Sequence, residues 1–317
     1  MSAALPSIGW IGAGRMGFAL AARLLDAGYD LAIYNRTRAK AEPLGERGAK
    51  IVDRPVDLAD RDIVFIMVSG SADLEAVTGG DGGLLTDPDI VPRIVIDSST
   101  VSIDASAEVR KRAAERGSDL LAAPVSGNPK VVRAGKLTFA VSGPRPAFDE
   151  AEPVFRCLGR GVTYVGDDEA ARLVKICHNV FLGVVIQSLC EITLLAERGG
   201  TSRAAFLAFL NDSVMGSTFS RYKSPALVNL DFSPTFTMTL LSKDFDLGLA
   251  AGHDLAVPMP LASAAAQLVA AAVGAGHREE DFAALILEQA RRSGMTLEPE
   301  NVQVDDGLGD ASPAQRP

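Results

Sequence analysis

Cysteine is scarce in this chain of 317 residues: only Cys157, Cys177 and Cys190 occur, and no pair has metal-ligand spacing. Histidine is as rare, at positions 178, 253 and 277, so a structural zinc site has almost no ligands to draw on. Reduced thiols in a cytosolic protein are the expectation. Basic residues are outnumbered, 31 against 40 acidic, for a formal net charge of -9. That field repels a phosphate backbone, so no nucleic-acid partner is expected. No polybasic amphipathic segment points to a membrane surface, and no uncharged apolar run reads as long enough to span a bilayer. A basic segment followed by a signal-like apolar run is missing at the N-terminus, where a strand pattern begins at Ile8. A cytoplasmic protein is therefore expected. No internal repeat is visible.

The composition that is present, 47% hydrophobic and 22% charged, is that of a soluble globular protein with length enough for two domains. Up to Gly166, short β-branched runs alternate with helical patterns. IGWIG (8–12), DLAIYN (30–35), DIVFIMV (62–68), RIVIDSS (93–99) and SDLLAAPV (118–125) read as buried strands, followed by 137–143 and 161–166. Segments 15–28 and 104–117 read as amphipathic helices closed by glycine. This order predicts an α/β Rossmann domain over 1–166, with a doubly wound, mainly parallel sheet. Beyond it, helical patterns at 169–198, 202–211, 260–273 and 280–293 predict an all-α domain over 167–297, with Asp167 and Asp168 placed to cap its first, long helix. Residues 298–317 lack apolar periodicity and read as a mobile tail.

Gly12, Gly14 and Gly17 form a GxGxxG pattern directly after a strand and opening a helix. Gly12 permits the tight turn, Gly14 lets the backbone approach a pyrophosphate, and Gly17 allows close packing of helix on strand. The loop, Arg15 and Met16 included, is thereby a cofactor-binding candidate. The second strand ends YNRT, so Asn35, Arg36 and Thr37 stand where an NAD enzyme usually carries an acid. Arg36 can bind a 2′-phosphate with no carboxylate at the strand end to oppose it, which predicts NADP in preference to NAD.

One stretch, LVKICHNVF (173–181), is mostly apolar yet carries Lys175, His178 and Asn179 at spacings that stack side chains on one helix face. Burying a lysine costs free energy unless it is paired or used. With the glycine loop, YNRT, APVSG, KICHN and LLSKDFDLGLAA in order, the chain resembles the β-hydroxyacid dehydrogenase family, from the first strand to about residue 295. That group includes 3-hydroxyisobutyrate dehydrogenases and tartronate semialdehyde reductases. The resemblance implies a Rossmann domain followed by an all-helical domain, a small carboxylate substrate, and a homodimer or homotetramer built through the helical domain.

It also implies roles by position. Lys175 falls where the family has its catalytic lysine, with Asn179 beside it; Ser126 and Gly127 fall where the substrate carboxylate is bound. Thr100, Lys243 and the segment Met67, Val68 and Ser69 fall where the family meets its nicotinamide cofactor. The expected chemistry is hydride transfer between NADP and a β-hydroxy acid or its semialdehyde, with Lys175 as general acid and base. A lysine in a partly desolvated cleft suits that role, because burial favours the neutral amine. The chain departs from the family at His178 and Asn128, where the family usually has asparagine and glycine, and at Ala122, where it has aspartate. His178 and Asn128 thus become candidate substrate contacts, and the substrate stays open within the family. The competing readings are an imine reductase, which Lys175 argues against, and a non-catalytic dinucleotide-binding module.

Overall fold

The computed structural model describes residues 5–309. The chain divides into two compact units between Lys175 and Ile176, whereas the sequence pattern changes at Gly166. In order, the first unit contains β1 (Ile8–Ile11), α1 (Arg15–Asp26), β2 (Leu31–Tyr34), α2 (Glu42–Gly45), β3 (Lys50–Ile51), β4 (Ile63–Ile66), α3 (Ser71–Gly79), β5 (Ile94–Asp97), α4 (Ile103–Glu115), β6 (Asp119–Ala122), β7 (Val125–Ser126), α5 (Pro129–Arg133), β8 (Thr138–Ser142), α6 (Arg145–Leu158) and β9 (Gly161–Gly166). The strands form one sheet in the order β3-β2-β1-β4-β5-β6-β8-β7, with β9 also on β8. The run from β3 to β6 is parallel; β8 lies antiparallel to β6 and β7 and parallel to β9.

The strands are apolar on both faces because both faces are covered. Ile8, Trp10, Ile63 and Phe65 enter one core cluster, while their neighbours Ile11, Val64 and Ile66 enter the other, the period-2 alternation of a pleated strand. The expected strand 118–125 is two strands, because Pro124 has no N–H for the ladder and the chain turns there to pair antiparallel with β8.

The second unit is helical: the later turns of α7 (Ala170–Arg198), then α8 (Arg203–Asp212), α9 (Thr218–Asn229), α10 (Met238–Asp254), α11 (Pro260–Gly274) and α12 (Leu285–Arg292). Its core gathers Ile176, Val180, Ile186, Leu241, Phe245, Val269 and Phe282. Two glycines let α7 and α10 approach closely. A Cβ on Gly183 would lie 2.5 Å from the Phe245 ring, and one on Gly248 would lie 2.2 Å from Val180.

One expectation is qualified and two need correction: the uncharged stretch of α7 is only 176–190, between Lys175 and Glu191, yet the helix as a whole is long and apolar. The helix α7 is, by length and composition, apolar enough to cross a bilayer, with a mean hydropathy of 1.8 over its most apolar window. Half of that window is buried inside the protein, as in the core helix of a soluble protein. Its first turn is met by a hydroxyl from β8, since Ala171 N donates to Ser142 Oγ at 3.0 Å; the Asp167 carboxylate accepts from Tyr164 instead. Residues 298–309 are also not a loose tail. The Glu300 carboxylate accepts from the amides of Arg203 and Ala204 at the start of α8, Arg203 donates to the Glu298 carbonyl, and Leu297 and Val304 pack on the helical core. Residues 310–317 lie outside the described residues.

Candidate active site

The C-terminal ends of β1, β2, β4 and β5 form one edge of the sheet, and the strand order reverses between β1 and β4, where open α/β sheets hold ligands. Gly12 sits there at φ 105°, and a Cβ on it would come within 2.1 Å of the Met67 carbonyl oxygen. A Cβ on Gly17 would lie 2.0 Å from the Gly12 oxygen. Gly14, at the N-cap of α1, has open space beside its missing Cβ and lines a cavity. The helix N-terminus adds partial positive charge at that point. A dinucleotide pyrophosphate fits this cradle.

The loop is braced by residues that motif reasoning passed over or read otherwise. The buried Trp10 indole donates to the Gly12 oxygen at 2.9 Å while stacking on Phe65. Asn35 accepts from Ala13 N and donates to the Thr37 oxygen, both at 2.7 Å, tying the end of β2 to the glycine loop. Beyond it opens a cavity of about 370 Å³, lined by Gly12, Gly14, Asn35, Arg36, Thr37, Met67, Val68 and Ser69, all anticipated, and by Lys40, Asp73 and Asp81, which were not. Arg15, Met16, Gly17 and Thr100 do not line it. Val68 N donates to Ser99 Oγ at 2.9 Å, joining the β4 segment to the one that carries Thr100.

Lys175 lies half-buried at the end of the first unit, its Nζ donating to the Val125 carbonyl oxygen at 2.6 Å. The next residues are Ser126 and Gly127, the latter at φ 140°, where a Cβ would press on Val131 and Leu137. Asn128 is buried and its side-chain oxygen caps α5, accepting from Lys130 N at 2.9 Å and Val131 N at 3.1 Å. Arg172, one turn before the lysine, is another residue the sequence did not flag. It is buried in an ion pair with Asp97 at the end of β5, and also donates to the Ser99 oxygen at 2.7 Å and to Ser106 Oγ at 3.0 Å. The start of α7 is thereby bolted to the sheet edge.

In the second unit the Asn179 amide is buried. Its nitrogen donates to the carboxylate of Asp244 on α10, which directs its oxygen to His178 Nδ1 at 2.9 Å. Lys243, next to Asp244, is about two-fifths exposed, with its Nζ 3.8 Å from the Asp244 carboxylate. His178 therefore has an internal bond, as a packed histidine would.

Residues 7–166 match the NAD binding domain of 6-phosphogluconate dehydrogenase, and residues 170–288 match the family described as NAD-binding of NADP-dependent 3-hydroxyisobutyrate dehydrogenase. The chain belongs to the β-hydroxyacid dehydrogenase family. Among its relatives, the 2-(hydroxymethyl)glutarate dehydrogenase of Eubacterium barkeri is 30% identical over 92% of this chain and 97% of its own. The 3-hydroxyisobutyrate dehydrogenase of Pseudomonas aeruginosa is 30% identical over 89% of this chain and 97% of its own. The solved structure of Mycobacterium tuberculosis 3-hydroxyisobutyrate dehydrogenase with L-serine superposes with a TM-score of 0.78 at 27% identity, over 90% of this chain and 99% of that one. As a β-hydroxyacid dehydrogenase, the protein is an NAD(P)-dependent oxidoreductase acting on CH–OH groups.

In this β-hydroxyacid dehydrogenase the first unit brings together the glycine loop, Asn35 to Thr37, Met67 to Ser69 and the Thr100 segment on one sheet edge. It also sets Lys175 against the strand bearing Ser126. His178, Asn179 and Lys243 belong to the second unit, joined through Asp244. Trp10, Asp73, Arg172 and Asp244 escaped the motif search. Trp10, Arg172 and Asp244 leave only the signal of a polar or bulky residue among apolar neighbours, and Asp73, between Ser71 and Glu75, leaves none.

Proposed function

We propose that this enzyme is an NADP-preferring oxidoreductase of a small β-hydroxy acid or the corresponding semialdehyde, with Lys175 as general acid and base. The observation that carries the reading is the 2.6 Å contact between Lys175 Nζ and the Val125 carbonyl oxygen. It sets the amine beside Ser126 and Gly127, the pair assigned to the substrate carboxylate. A β-hydroxy acid bears its reacting oxygen a short distance along the chain from that carboxylate, within reach of a lysine so placed. In oxidation Lys175 takes the hydroxyl proton; in reduction it returns a proton to the developing alkoxide. The nicotinamide, when bound, supplies the hydride chemistry. Val125 aims the amine, and Ser126 with the Gly127 amide binds and orients the acid.

The NADP preference is supported by Arg36, Thr37 and Lys40 lining the cavity beyond Asn35, where two cations can meet a 2′-phosphate. By the family positions they occupy, Asn128, His178 and Asn179 are each proposed as substrate contacts. The same reading includes a homodimer or homotetramer in the cytoplasm, with no nucleic-acid or membrane partner, which the net charge of -9 supports. The test is NADPH oxidation against a panel of semialdehydes, keto acids and cyclic imines. Turnover of the semialdehydes with NADPH favoured over NADH is expected. Turnover of the imines alone would replace the reading with imine reduction. Tight cofactor binding without turnover of any substrate would leave a dinucleotide-binding module.

A further inference from the structure

The cavity next to the glycine loop carries both signs of charge. In NAD enzymes of this fold, an acid at the end of the second strand accepts hydrogen bonds from the adenosine ribose hydroxyls. Asn35 holds that position here, but both ends of its amide are engaged by the backbone at Ala13 and Thr37. A carboxylate nevertheless lines the same cavity from another element. Asp73, in the first turn of α3, faces Arg36 across it, and the two meet at 2.9 Å between Oδ1 and Nη1.

We infer that Asp73 is a specificity-determining residue that sets how strongly the site discriminates NADP from NAD. The inference rests on the reading of Arg36 as the 2′-phosphate contact. A phosphate on Arg36 would place its negative charges close to the Asp73 carboxylate, which repels it. The unphosphorylated ribose presents hydroxyl donors, which the same carboxylate accepts. Arg36 acts in the opposite sense, attracting the phosphate and masking Asp73 from the diol. The side chains are 81% and 30% exposed, so the pair is weakly held and a ligand can open it. Arg36 and Asp73 thus form two arms of one selector, one from the loop after β2 and one from α3. The missing acid of the strand end is supplied from across the cavity.

The experiment is fluorescence titration of the full-length native enzyme and of Asp73→Asn, Arg36→Gln and Asp81→Asn with NADPH and NADH, needing no knowledge of the substrate. Asp73→Asn should raise the ratio of NADPH to NADH affinity by about tenfold, the size of one charge–charge term at short range in a hydrated site. Arg36→Gln should move the ratio the other way. Asp81→Asn, which removes a carboxylate from the same lining but not from Arg36, should move it less than Asp73→Asn does. Weaker NADPH binding in Asp73→Asn would show that the carboxylate only steadies Arg36, and would overturn the inference. An equal or larger shift in Asp81→Asn would assign the effect to general charge, with the same consequence. The two readings fail separately. A native enzyme that prefers NADH, but shifts toward NADPH in Asp73→Asn, overturns the NADP preference and upholds the role of Asp73. A native preference for NADPH that Asp73→Asn leaves unchanged does the reverse.

Discussion

Lys175 occupies a position where a lysine has no packing reason to be, on an apolar helix and half-buried against the Val125 carbonyl. If it carries the proton, Lys175→Ala should lower kcat by about two to four orders of magnitude, the usual contribution of a positioned acid or base. Cofactor affinity should hold, because the glycine loop and Arg36 bind at a separate place on the sheet edge. Lys175→Arg should be nearly as damaging, since a guanidinium stays protonated at any working pH and cannot exchange the proton. Titrating NADPH beside kcat for both variants checks this. Near-native turnover in Lys175→Ala would reduce the residue to a snorkelling lysine.

At the scale of elements, the first turn of α7, which belongs to the first unit, is held by a buried ion pair. The Arg172 and Asp97 side chains are 2% and 0% exposed, and the guanidinium also reaches the Ser99 carbonyl and Ser106 hydroxyl. An ion pair taken out of water is costly to make and costlier to break, because the surviving partner stays buried and unbalanced. Arg172→Met should therefore cost about 3–5 kcal/mol of stability. Adding Asp97→Asn should cost less than the sum of the single changes, since the two residues share one interaction. Urea denaturation of the two single variants and the double variant measures the coupling. Simple additivity would mean that Arg172 is held by Ser99, Ser106 and Glu169 rather than by Asp97.

For the whole molecule, acid sensitivity should reside partly in the helical unit. Lys223 and Asp281 meet in its interior, each 2% exposed, with Asp281 also accepting from Thr235 and from the Ala283 amide. Burial alone would push the Asp281 carboxyl up, but the Lys223 ammonium, with these donors, holds it below the usual carboxylate range. A carboxyl lowered on folding contributes stability that is fully present above its unfolded value and lost as pH falls through the folded one. Asp281→Asn should thus lower Tm clearly at neutral pH, and the gap from the native enzyme should narrow on acidification below the ordinary carboxylate range. Thermal melts of both proteins from pH 7 downward, at about one-unit steps, test the sign. A gap that stays constant would mean that the loss comes from packing and not from the charge.

Much of this was local enough to be written in the sequence. Apolar runs marked β1, β2, β4 and β5 because a strand buried on both faces has no polar side to hide. The glycines marked the cofactor cradle because Gly12 and Gly17 stand where any side chain would strike backbone. The 29-residue length of α7 was legible from its pattern, and Lys175 from its misfit within it. The helices α9 and α10 were less legible, since Ser220, Ser224 and Pro225 interrupt the first and KD, D and two glycines the second. Tertiary structure alone decided what the pairwise contacts are. It split 118–125 at Pro124, pinned residues 298–309 to the start of α8, turned Asn128 into a cap and set Asp73 against Arg36, 37 residues apart in the chain. Periodicity and turn chemistry act over a few residues and can be read from one string. A partner brought in from a distant segment is chosen by the folded backbone, and no local pattern carries it.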